Sequence, residues 1–134
     1  MFYKGGLNPM EYNPLALAYI GDTIYDLYVR TKVLALGNRH VTQMHKDSVR
    51  FVKAHSQAIS MHALESVLTE EETRIYKWGR NAKSNTVPKN ADVGEYRIAT
   101  GFETLVGYLY LKGENERLES LLDIAYNEVE NIWE

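Results

Sequence analysis

Cysteine is absent from the chain. That excludes disulfides and thiolate metal ligands and suits a reducing compartment, so the cytoplasm is the expected setting. Long apolar runs are missing too. No stretch reaches the roughly 18 residues a membrane span needs, so no membrane association is expected. The opening MFYKGGLNPM lacks the apolar segment and small-residue cleavage site of a secretory leader. There is no glycine-rich phosphate loop, nucleophile elbow or HExxH pair, and His40, His45, His55 and His62 stand at no metal-ligand spacing. His55 and His62 read as packing or surface residues.

What is present is one domain's worth of core. The 134 residues are 45% hydrophobic and include ten tyrosines. A chain of this length buries roughly two-thirds of its unfolded surface, so a single domain over residues 1–134 is expected. The formal net charge of −3 argues, taken alone, against a polyanion partner. Its distribution argues otherwise. Residues 30–53 carry a net +5, residues 77–97 carry +3, and residues 114–134 carry −6. Two basic segments and an acidic tail can form separate surfaces, and the basic ones are either solvated faces or phosphate-facing.

Hydrophobic spacing is helical almost throughout, and no segment alternates with period two for long enough to form a strand. Asn13–Pro14 reads as an N-cap with proline at the first helical position, opening a helix that Gly37 stops. Leu17, Ile20, Ile24, Leu27 and Tyr28 are its expected apolar face. TQMHKDSVRFVKAHSQAISMHALES reads as one bent helix or two abutting ones. Thr69 with Glu72, and Asp92 with Glu95, read as capping boxes. GRNAKSNTVPKNAD reads as a loop. A helix from Asp92 to Gly113 follows, and a last one places Leu118, Leu121, Leu122, Ala125, Val129 and Ile132 on one stripe. The fold class is all-α.

Gly21 beside Asp22, and Gly107 one turn after Glu103, each cost about 1 kcal/mol relative to alanine inside a helix. Close approach of two helices would explain both glycines. Were these helices to cross there, Asp22 and Glu103 would converge, and paired carboxylates need a proton or a cation between them. Mg²⁺ suits one or two carboxylates, retained waters and a phosphate. The plainer alternative is a solvated or ion-paired aspartate. Asp26, at i,i+4 from Arg30, reads as such a pair.

The stretch YIGDTIYDLYVR resembles the signature helix of the ribonuclease III catalytic domain. LALAYIGD, HKDSVRFVKAHSQA, GRNAKS, PKNAD and FETLVGYLYL, in that order, resemble the compact Mini-III branch of that family. The resemblance implies a dimeric, all-helical endonuclease-domain bundle without an appended RNA-binding domain. It implies Mg²⁺-dependent cleavage of double-stranded RNA, in maturation of the large-subunit (23S) ribosomal RNA precursor, with assistance by a ribosomal protein left open. The family's signature aspartate falls on Asp22 and the later glutamate on Glu103. Leu15 and Ala18 stand where larger members carry glutamates, and Thr100 stands where they carry an aspartate. One Mg²⁺ held mainly through water is therefore expected.

Duplex RNA is gripped through shape, phosphates and 2′-hydroxyls. Candidate contacts are His45, Lys46, Arg50 and Lys53, then Arg80, Asn81, Lys83 and Lys89 in the loop, then Arg97. The loop centre is expected to order on the RNA. Tyr19, Tyr25, Tyr28, Tyr108 and Tyr110 are expected in the core or a dimer interface rather than stacked on bases. The rival readings are a catalytically inactive RNA-binding or ribosome-associated helical module, and a protein-interaction domain that ignores RNA.

Overall fold

The structure is a computed structural model that describes residues 2–83, 87–89 and 91–133. Six α-helices occur among the described residues: α1 (Pro14–Ala35), α2 (Val41–Val52), α3 (Ala54–Leu64), α4 (Glu70–Arg80), α5 (Val93–Lys112) and α6 (Asn115–Trp133). A short 3-10 turn, Pro9–Glu11, precedes them; it is closed by an Asn8–Glu11 capping box not anticipated from the sequence.

Local chemistry sets the boundaries. Asn13 caps α1 by accepting the Ala16 N–H at 2.9 Å. The long second helical region breaks at Lys53, whose ψ of 152° is extended. Its N–H still bonds the Val49 carbonyl and its own carbonyl accepts the Gln57 N–H, so one residue ends α2 and starts α3. The Thr69–Glu72 box forms in both directions. At Asp92 the forward half is made, with Glu95 N–H donating to it at 3.0 Å. The expected return bond is replaced: the Glu95 carboxylate is taken by His55, which pins the start of α3 to the first turn of α5. Gly113, at φ 79°, closes α5 in the left-handed region.

α5 is the hub. It is buried from Phe102 to Tyr110 apart from Glu103, the pattern of a helix surrounded by others. It packs against α1, α3 and α4, and α6 closes the bundle over α3. The buried stripe of α1 is Leu17, Ala18, Gly21, Tyr25, Val29 and Val33. The expected stripe lies beside it: only Leu17 is shared, Ile20, Ile24 and Tyr28 are half-buried, and Leu27 is exposed. The reason is that the contact line runs through glycine and alanine, which a search for large apolar residues passes over. On α6 the stripe is as read up to Val129, but Ile132 is exposed beyond the edge of the bundle.

Two crossings are unusually close. A Cβ on Gly21 would lie 1.8 Å from the Glu103 carbonyl oxygen, and one on Gly107 would lie 2.0 Å from that of Leu17. α1 and α5 therefore touch backbone to backbone. Opposite, Gly79 of α4 receives the Thr104 side chain and Gly101 of α5 receives the Tyr76 ring. Thr104, fully buried, is further tied to the Pro14 carbonyl at 3.0 Å. The middle of α5 is thereby fixed on both sides.

Candidate active site

Glu103 lies on α5 at the point where the Gly21 backbone of α1 meets it. Asp22, the next residue on α1, is exposed, and its carboxyl group is within hydrogen-bonding reach of Glu103. Burial, then the hydrogen bond with Asp22 and its charge, push the Glu103 carboxyl up to about 8. The glycine contact is what makes this possible: any side chain at position 21 would hold the helices too far apart for the carboxyls to meet. A third element completes the wall. Gln57 of α3, only 2% exposed, donates from Nε2 to the Val52 carbonyl at 2.8 Å and to Glu103 Oε2 at 3.4 Å.

Among the described residues no group of three or more His, Asp or Glu side chains forms a metal cage. The donor set is two carboxylates, one exposed and one recessed, sharing a site that favours a positive charge or a proton. Those residues fit one hard divalent ion that keeps most of its water. Thr100 adds no anion: its hydroxyl donates to the Tyr96 carbonyl at 3.0 Å. Asp26, one turn after Asp22, is taken by an ion pair with Arg30 at 3.0 Å, as its spacing indicates.

The candidate RNA contacts form two groups. Arg80, Lys83 and Arg97 line one pocket of about 320 Å³, together with Tyr96 and Thr100. Thr100, in the wall of this pocket, is one helical turn before Glu103 on α5. Asn81 orients Arg80, accepting from its Nε at 3.2 Å, and the guanidinium also lies over the Tyr76 ring. Lys89 is exposed nearby in sequence; residues 84–86 and 90, the loop centre expected to order on RNA, lie outside the described residues. The second group follows α2. His45 and Lys46 are exposed, while Arg50 and Lys53 both lie over the Trp133 ring, at 4.7 and 5.1 Å. Arg50 also stands 4.0 Å from Asp47. Gln57 and the His55–Glu95 pair were not singled out from the sequence. A signal for Gln57 existed: it shares the 57, 60, 61, 64 spacing of the buried face of α3, a polar residue at a core position.

Comparison with known proteins identifies the family. The ribonuclease III domain family matches residues 15–114. The chain is 50% identical over 121 residues to the Mini-ribonuclease 3 of Thermoanaerobacter sp., covering 90% of this chain and 85% of that one. The chain belongs to the ribonuclease III family, in its Mini-ribonuclease 3 branch. Mini-ribonuclease 3 of Clostridium tetani is 46% identical over 127 residues, covering 94% of this chain and 83% of its own. A crystallographically solved protein from Fusobacterium nucleatum superposes with a TM-score of 0.79 at 30% identity, covering 87% of this chain and 93% of that one.

Proposed function

We propose that this ribonuclease III family member is a Mg²⁺-dependent endoribonuclease that hydrolyses double-stranded RNA, leaving 5′-phosphate and 3′-hydroxyl ends, and that its substrate is the 23S ribosomal RNA precursor. The observation that carries the reading is the convergence of Asp22 and Glu103, with Thr100, one turn before Glu103, in the wall of a pocket lined by Arg80, Lys83 and Arg97. A bound divalent ion supplies Lewis acidity and a water of lowered pKa. The chain's own residues do the rest. Asp22, exposed at the rim, and Glu103, recessed, would hold the ion between them. Arg80, Lys83 and Arg97 would take phosphates of the strand being cut, while His45, Lys46, Arg50 and Lys53 would meet phosphates farther along the duplex.

A homodimer is part of the proposal, supported by the exposed apolar residues Tyr19, Leu27 and Leu34 along α1 and Leu36 just after it. It would offer one site to each strand. The proposed compartment is the cytoplasm.

The test is incubation of the purified protein with a precursor ribosomal RNA stem, in Mg²⁺ and in EDTA, beside Asp22→Asn. Mg²⁺-dependent cleavage is expected, with the variant slower by about 10²-fold or more while it folds and still binds RNA. The missing carboxylates at Leu15, Ala18 and Thr100 favour one rival, an RNA-binding module without catalysis. Retention of RNA with no Mg²⁺-dependent product would decide for it.

A further inference from the structure

The Gln57 carboxamide is buried, yet its Oε1 has no hydrogen-bond partner. A buried amide oxygen is ordinarily paired. Its orientation is not free: the Val52 carbonyl can only accept, so it requires the Nε2 end, 2.8 Å away. That places Nε2–H toward Glu103 and leaves Oε1, on the same carbon, without a donor.

The neighbouring serine hydroxyls are committed elsewhere. Ser56 donates to the Arg50 carbonyl and Ser60 to that of Ala125. The Tyr25 hydroxyl, beside Ser60 one turn farther along α3, is itself buried without a partner and makes no bond to Oε1. Once a cation stands between them, Asp22 and Glu103 are both ionised and have no proton to give. The donor that Oε1 lacks must therefore come with the ligand. A hard divalent ion brings such donors in the waters it retains.

We propose that Gln57 is a positioning residue of the cation site: Nε2–H holds one oxygen of Glu103, and Oε1 accepts a hydrogen bond from water in the ion's shell. This rests on Asp22 and Glu103 being the cation site. Side chains that orient metal ligands from outside carry 10–100-fold in metal affinity when removed. Gln57 has the reach and the burial for that role, and it needs no charge to fill it.

The test uses Mn²⁺ alone, titrated calorimetrically into the RNA-free protein. Gln57→Leu is expected to weaken Mn²⁺ by about 10-fold or more. Gln57→Met fills the same space and gives the same reading should the leucine variant fold poorly. Melting temperatures of the metal-free variants are recorded alongside. A lowered melting temperature with Mn²⁺ affinity within about twofold of the parent would make Gln57 a strut for the α2–α3 junction and overturn the proposal. If Asp22→Asn binds Mn²⁺ as well as the parent does, the cation-site reading itself falls, and Gln57's role with it.

Discussion

At the scale of single residues, Glu103 carries a proton at neutral pH as long as no cation stands between it and Asp22, because burial and Asp22 push it up to about 8. In the unfolded chain the same carboxyl ionises near 4.5. Between those values the folded state binds the additional proton, so raising the pH favours unfolding. The metal-free protein should therefore lose stability from about pH 5 to pH 8, by up to about 1.4 kcal/mol per pH unit. Glu103→Gln should flatten that slope, and so should a saturating divalent ion, which displaces the proton. Glu72 works the other way: the Arg117 guanidinium holds it low, so its contribution is present above the usual carboxylate range and lost only as the pH falls below it. Denaturant titrations at several pH values separate the two. A slope in Glu103→Gln equal to that of the parent would show that the proton is not held there. Asp22 and Glu103 were legible in the sequence because each sits near a mid-helix glycine. Gln57 was not, because nothing local marks a glutamine whose partners come from α2 and α5.

At the scale of elements, the α1–α5 crossing decides whether there is a site. Alanine at a helix-interior glycine ordinarily stabilises by about 1 kcal/mol. Here an added Cβ at position 21 would fall inside the Glu103 carbonyl oxygen. Gly21→Ala should instead destabilise by about 1–3 kcal/mol, the cost of forcing packed helices apart. It should also weaken Mn²⁺ binding, since the carboxyls separate with the backbones. Gly37→Ala differs: nothing lies within 4 Å of its Cβ, but its φ of 137° strains any side chain. It should lower the melting temperature and leave Mn²⁺ affinity unchanged. The pair separates loss of stability from loss of geometry. Helix caps at Asn13 and Thr69 could be read from the sequence because capping is a contact within four residues. Two features could not. Glu95 fits a box by spacing, but His55, forty residues earlier, takes its carboxylate. The break at Lys53 has no glycine or proline to announce it; Ser56, Gln57 and Phe51 make their contacts only when α2 and α3 turn apart.

At the scale of the whole molecule, a net charge of −3 is compatible with a polyanion substrate because the charges are sorted. Arg80, Lys83 and Arg97 gather at one pocket, while Glu116, Glu119, Asp123, Glu128 and Glu130 lie on α6. Removing one side chain that neutralises a phosphate lowers the dependence of log affinity on log salt by about 0.7–0.9. Replacing Arg80, Lys83 and Arg97 with alanine should therefore reduce that slope by about 2–3 and weaken binding to every duplex alike. The proposed dimer sharpens the expectation for cleavage. If each subunit's Asp22–Glu103 pair serves one strand, a dimer with one parent subunit and one Asp22→Asn subunit retains a single working site. Purified through two different affinity tags, that mixed dimer should nick its duplex on one strand and leave the other intact. Denaturing gels of substrates labelled on either strand distinguish this from double cleavage. Both strands cut in one binding event, or a species that sediments as a monomer while cutting both, would show that the two incisions do not come from paired subunits.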